Sequence, residues 1–182
     1  MSDTSPFVLP HPVEATVRYF LTCEFSTFSK SGSPITWPVY PIYLAQKGQF
    51  LIFSPIGLPQ KAINVRRNPR VSLFYSDPTG SGLNSPAQVL IQGDAESPDE
   101  IFVSPRGQDE EIVAELRAQV EQVMRLQPGT AIYLSNPLTR WLMDWYFMRL
   151  AIFITPRWVH WWFPGDKLDR SRFIEVAHVE EN

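Results

Sequence analysis

Cysteine is almost missing from this chain. Cys23 stands alone among 182 residues, which excludes an intramolecular disulfide framework and any cysteine-rich zinc site. It reads as a small apolar filler in a strand rather than a reactive thiol. Histidine is scarce as well. His11, His160 and His178 show no ligand spacing, and neither HExxH nor a paired-cysteine pattern occurs. No GxSxG elbow, P-loop or GxGxxG fingerprint is present. Asp109-Glu110-Glu111 is the one tight acidic cluster, and at a helix start it complements the dipole rather than forming a catalytic pair. Hydrolase and metalloenzyme chemistry therefore have little support.

An excess of positive charge is also lacking. Sixteen basic against nineteen acidic side chains give a net charge of -3 and a pI near 5.6, against the basic face of a general nucleic-acid binder. Met1 to Pro6 has neither a basic n-region nor an apolar h-region, so no signal peptide is read there and a cytoplasmic location is the default expectation. No uninterrupted apolar run is long enough for a membrane. The stretch from Trp141 to Phe163 comes nearest, but Asp144, Arg149, Pro156 and Arg157 interrupt it, where a spanning helix needs about 20 apolar residues. Two buried elements joined by a turn are expected instead.

What is present is a globular composition, 44% apolar and 19% charged, suited to a single domain over 1–182. Pro6, Pro10 and Pro12 make residues 1–14 an extended arm. Aromatic and β-branched residues predict strands at Arg18–Ser29, Ile35–Leu44, Phe50–Ser54, Val71–Tyr75 and Gln88–Gly93. Further strands are predicted at Arg149–Thr155, Trp158–Phe163 and Phe173–His178. Pro38 and Pro41 suit an edge, a bulge or a barrel rim. Helices are predicted near Pro59–Arg67, at Glu110–Leu126 from its apolar periodicity, and over Pro137–Phe147. Helices fall between strands without βα alternation, so the class is mainly β: one small antiparallel β-barrel with peripheral helices.

The chemistry concentrates between Gly32 and Gly93. Phe53-Ser54 ends a strand, Pro55-Ile56-Gly57 breaks it, and Lys61 falls in the first turn of the next helix. A hydroxyl at a strand end, free helix N–H groups and a lysine charge together make an anion site. With Gln60-Lys61, Asn68-Pro69-Arg70-Val71-Ser72-Leu73, Gln88-Val89-Leu90-Ile91-Gln92-Gly93, Trp161-Trp162-Phe163-Pro164-Gly165 and Arg172-Phe173, the chain resembles the pyridoxamine 5'-phosphate oxidase-like, FMN-binding split-barrel family. The likeness covers roughly Gly32–Gly93 and Phe153–Ile174.

The resemblance implies that Ser54 and Lys61 hold the FMN phosphate, with Gln60 in a slot usually filled by arginine. It implies that the backbone of Trp37, Pro38, Val39 and Tyr40 runs past the flavin beside Phe53, and that Gln88 bonds the isoalloxazine edge. Trp162 and Arg172 resemble residues that reach the flavin from the partner subunit, which implies a homodimer with its site at the interface. Taken singly, each has a plainer reading: Lys61 as a solvated helix lysine, Gln88 as a strand residue, Trp162 as core, Arg172 as a surface ion pair.

Departures from the family pattern are informative. Trp37 stands where an arginine usually meets the phosphate, leaving Arg66 and Arg67 to compensate. Ile42 and Leu168-Asp169-Arg170 replace the lysine and arginine-x-histidine that clamp the vitamin phosphate, so pyridoxamine 5'-phosphate oxidation is disfavoured. The leading expectation is an FMN-dependent oxidoreductase of a small-molecule substrate, with hydride passing at flavin N5. The deazaflavin F420 is an alternative, disfavoured by the missing basic groove. A non-catalytic flavin- or haem-binding carrier is another.

Overall fold

The computed structural model describes residues 8–102, 109–126, 149–166 and 172–176. Its first element is a helix. α1, His11–Tyr19, buries Val13, Thr16 and Val17 on one face, and Thr16 Oγ1 donates to the Ala87 carbonyl at 2.8 Å. The extended arm expected over 1–14 is thus corrected from His11 onward. Pro12 sits in the first helical turn, where the missing N–H costs no hydrogen bond. Residues 1–7 of that arm lie outside the described residues. Arg18 and Tyr19 belong to α1, so the following strand is shorter than its composition suggested.

Among the described residues, nine strands make one antiparallel sheet. β1 is Cys23–Phe28, β2 Pro34–Val39, β3 Ile42–Leu44, β4 Gln49–Pro55 and β5 Arg70–Tyr75; β6 is Gln88–Glu96, β7 Ile101–Phe102, β8 Arg149–Trp162 and β9 Arg172–Glu175. The strand order is β2-β1-β5-β6-β8-β4-β3, with β7 and β9 also paired to β8. β2 and β3, the two ends of that order, are separated in sequence only by Tyr40 and Pro41. From Val39 to Ile42 the chain reaches at most about 11 Å. Seven flat strands would set the ends about 29 Å apart. The sheet therefore curls into a half-barrel. Pro41 is the reason that the expected single strand Ile35–Leu44 divides in two. Pro34 and Pro38 lie on β2, which among the described residues pairs only with β1, as an edge position requires.

Inward positions fill the barrel with Phe25, Phe50, Ile52, Leu73, Val89, Ile91, Ile152 and Val159. α1 packs on it through Val13 and Val17, and two further helices join it. α2, Gln60–Arg67, buries Ala62, Asn64 and Val65, and Asn64 Nδ2 donates to Thr27 Oγ1 on β1 at 3.0 Å. α3, Glu110–Leu126, brings Ile112 against Ile42, Leu44 and Leu51. Gln119 Nε2 on α3 donates to the carbonyls of Tyr40 and Pro41 at 3.2 and 3.4 Å, holding the corner that closes the barrel. The helix expected over Pro137–Phe147 lies outside the described residues.

The two strands expected at Arg149–Thr155 and Trp158–Phe163 are one strand, β8. Its first half pairs with β4 and its second with β6. Pro156 survives inside it because the register shifts there: Gln92 faces Trp158 while Gly93 faces Pro156, so Arg157 is bulged out. The Arg157 carbonyl instead accepts the Val176 N–H at 2.7 Å. A Cβ on Gly93 would meet the Thr155 oxygen at 2.2 Å, a backbone atom that cannot swing aside. Gly93→Ala should therefore lower stability by about 3 kcal/mol, a fall in Tm of about 6–12 °C. Thermal denaturation followed by circular dichroism checks it; an unchanged Tm would mean the bulge is not held as described.

Candidate functional site

The turn from β4 into α2 is closed by the Leu58 N–H, which donates to the Pro55 carbonyl at 2.9 Å. Pro55 ends β4, and Pro59 precedes the helix without capping it through a side chain. Ser54 is wholly buried, and its hydroxyl donates to the Leu58 carbonyl at 2.9 Å. Its proton is committed to closing this turn, so Ser54 shapes the approach to α2. Lys61 follows in the first helical turn, half-buried, with its Nζ 5.6 Å from the Trp37 ring centroid. None of the ion pairs among the described residues uses it. Burial pulls the Lys61 pKa below its ordinary value, because nothing anionic compensates the lost water.

The neighbouring cations are differently placed. Arg66 donates to the Ser97 and Pro98 carbonyls and pairs with Asp99 at 2.7 Å, so it does not compensate for the tryptophan at position 37. Among the described residues Arg67 reaches Asn64 Oδ1, at 3.4 Å. Gln60 is exposed and donates to the same oxygen at 2.8 Å.

A second group lies on the outer face of the sheet. Trp162 Nε1 donates to Gln88 Oε1 at 2.7 Å, and the Trp162 ring stacks on Phe74 with centroids 5.8 Å apart. Gln88 Nε2 donates to the Ser76 carbonyl at 3.3 Å. Ser76 Oγ in turn donates to Glu24 Oε1 at 2.8 Å. Pro38 joins this face, since it stands opposite Glu24 on β1. Arg172 is apart from both groups: it pairs with Asp166 at 3.1 Å and lies over the Phe163 ring.

The residues singled out from sequence therefore fall on both sides of β2. Trp37 packs with the inner cluster beside Lys61, whereas Pro38 faces outward with Gln88 and Trp162. Val39 is buried in the core. Tyr40 is half-buried, and its hydroxyl is enclosed without a hydrogen-bond partner among the described residues. Phe53 points elsewhere, packing on Phe102 at 4.8 Å in the cluster under α3. Among the described residues β2 has no strand on its second side, so alternate backbone groups along it face an open seam. Sequence reasoning missed Glu24 and Ser76. A glutamate between Cys23 and Phe25, the one charged residue of β1, was the available signal.

No protein-family model matches this sequence, and no curated protein matches it. Solved structures do. A Clostridium acetobutylicum protein related to general stress protein 26 of B. subtilis, of the pyridoxinephosphate oxidase family, matches with a TM-score of 0.52 at 15% identity, covering 91% of this chain and 94% of that one. General stress protein 26 from Bacillus anthracis matches at 0.50 and 12% identity, over 91% of this chain and 96% of that one. A heme binding protein from Mycobacterium smegmatis matches at 0.54 and 17% identity, over 93% of this chain but only 60% of that one. The chain has the pyridoxamine 5'-phosphate oxidase-like split-barrel fold. At these identities the likeness is one of fold, and function must be argued from the site.

Lys61 is thus a half-buried cation without a carboxylate partner among the described residues, beside the open seam. The folded chain binds the Lys61 proton less tightly than the unfolded chain, so this charge costs stability at neutral pH. The cost fades as pH rises through the lowered pKa. Lys61→Met should accordingly raise the Tm of the ligand-free protein at neutral pH, with the difference from wild type narrowing in alkaline buffer. Melts across that pH range check the sign; a variant less stable at neutral pH would mean that Lys61 already has an anionic partner.

Proposed function

We propose that this chain binds FMN and serves as an FMN-dependent oxidoreductase, working as a homodimer with its cofactor sites at the interface. The observation that carries this reading is Lys61, a half-buried lysine without a carboxylate partner among the described residues, in the first turn of α2 and beside Trp37. A flavin phosphate supplies the anion that this lysine lacks, and the free N–H groups of the first turn add to it. The enclosed, unpartnered hydroxyl of Tyr40 and the open edge of β2 suit the polar chain of the same ligand. Gln88 has a second amide proton to give to the ring edge. When bound, FMN supplies hydride transfer at its N5, while the protein binds and orients it.

The fold shared with proteins of the pyridoxinephosphate oxidase family supports the same reading. The substrate is a small molecule other than pyridoxamine 5'-phosphate. Ile42 is buried between β4 and α3 and offers no donor to a substrate phosphate; Leu168 to Arg170 lie outside the described residues. F420 is disfavoured, since its acidic tail would need a basic groove and Arg66 is already bound to Asp99. For the dimer, Trp158 and Phe173 are exposed around the Trp162 face, together with partly buried Phe74 and Leu90, an apolar area suited to a second copy.

One observation favours a second reading, a haem carrier. His160 faces outward with its ring 4.8 Å from Phe173 and opposite Leu90, an imidazole among apolar groups. The fold is shared with a heme binding protein of M. smegmatis. The visible spectrum of the protein, with FMN or haemin added, separates the two: a haem spectrum altered in His160→Ala would favour the carrier.

Lys61→Ala should weaken FMN binding by about 2 kcal/mol, or about thirtyfold, from the loss of a charge-assisted contact. Flavin-fluorescence titration measures it, and an unchanged dissociation constant would reduce Lys61 to a helix surface residue. Light scattering at micromolar concentration should give twice the mass of the chain. A monomer that still binds FMN fully would refute the shared site.

A further inference from the structure

The hydrogen-bonded chain on the outer face ends unfinished. It runs across the sheet from Trp162 on β8, through Gln88 on β6 and Ser76 after β5, to Glu24 on β1. Each donor finds an acceptor until the last residue. Glu24 Oε1 accepts the Ser76 hydroxyl, but Glu24 Oε2 is buried and accepts nothing from the described residues. No lysine or arginine pairs with this carboxylate among the described residues. A carboxylate oxygen withdrawn from water without a donor is costly. A group bearing N–H or O–H would complete it.

The same chain fixes the polarity of Gln88. Its oxygen is held by the Trp162 N–H and its nitrogen by the Ser76 carbonyl. Turning the amide over would set N–H against N–H at one end and oxygen against oxygen at the other. Gln88 is thereby left with a single free N–H to offer. One serine away, Glu24 offers a single free acceptor. The face presents a donor and an acceptor, and neither can reverse its role while Glu24 is ionised.

We propose that Glu24 is a ligand-binding residue, reading together with Gln88 a ligand edge in which a carbonyl oxygen adjoins an N–H. Imides and lactams have that edge, as does the pyrimidine ring of an isoalloxazine; a porphyrin rim does not. The inference rests on the flavin reading above and adds to it a residue and a polarity. Glu24 lies opposite Pro38 and Phe74, between the open strand β2 and the aromatic stack on Trp162, which puts it where a flat ring against this face would end.

The test compares FMN with N3-methyl-FMN, which lacks the imide N–H, on wild type, Glu24→Ala and Glu24→Gln, with dissociation constants from fluorescence titration. Glu24→Gln keeps the side chain's shape and its bond to Ser76 but turns an amide N–H toward the ligand's own. Circular dichroism confirms that the variants fold. N3-methylation should weaken binding to wild type about tenfold, and each Glu24 substitution should weaken FMN about tenfold. The substitutions should leave N3-methyl-FMN unchanged, because the two losses are of one contact and do not add. Equal weakening of both flavins would overturn the proposal, showing Glu24 acting only through Ser76 on the sheet. Unchanged binding of both would also overturn it. Either result leaves FMN binding by wild type, and so the flavin reading, intact. A wild type that binds neither flavin overturns both together.

Discussion

Two residues, Tyr40 and Pro41, join the strands at opposite ends of the sheet order, and most of the molecule follows from that short link. A connection of about 11 Å cannot bridge a flat seven-strand sheet, so the sheet must curl. Curling gives it an inside, where Phe25, Phe50, Leu73 and Ile152 exclude water. It also leaves a seam, because β2 and β3 approach each other without pairing. The Gln119 side chain on α3 satisfies both corner carbonyls, which would otherwise be left exposed by the change of strand. A helix added for its own apolar face thus also secures the closure.

The cations around the sheet are differently engaged. Arg66 is immobilised by two carbonyls and Asp99, and Arg172 by Asp166. These are structural cations. Lys61 differs in having an aromatic neighbour and no anion, an arrangement less stable than solvation and therefore suited to a ligand that brings a negative charge. Trp37 replaces an expected arginine with a ring that accepts a cation over its face. On the FMN reading proposed above, one lysine and one tryptophan stand where the family pattern has two cations, a weaker hold on phosphate but a broader surface for a flat ligand.

The split barrel is a fold on which flavin and haem proteins are both built, so the fold alone does not choose between them. The choice turns on the chemistry of the two faces. Inside the seam an unpaired lysine favours an anion. Outside it, a fixed amide donor and a half-satisfied carboxylate favour a ligand with a polar edge. His160 against Phe173 is the one feature that suits haem instead.

Much of this was legible in the sequence. Alternating strands, the β4–α2 turn with Lys61 after it, and the periodicity of α3 are local properties, set by side-chain period and by proline and glycine within a few residues. Local signals misled where tertiary packing overrode them. Prolines at 10 and 12 read as an extended arm, but an N-cap and a first helical turn tolerate them, and burial of Val13, Thr16 and Val17 makes a helix of the segment. Pro156 read as a strand break, yet a bulge against Gly93 absorbs it. The family likeness named Trp37, Lys61, Gln88 and Trp162, but not that Trp37 and Pro38 take opposite faces, nor that Arg66 is already engaged. Which side a strand shows to the core, and which polar atom is left without a partner, depends on neighbours distant in sequence. Glu24 and Ser76 are 52 residues apart, and only the curled sheet brings them to one hydrogen bond.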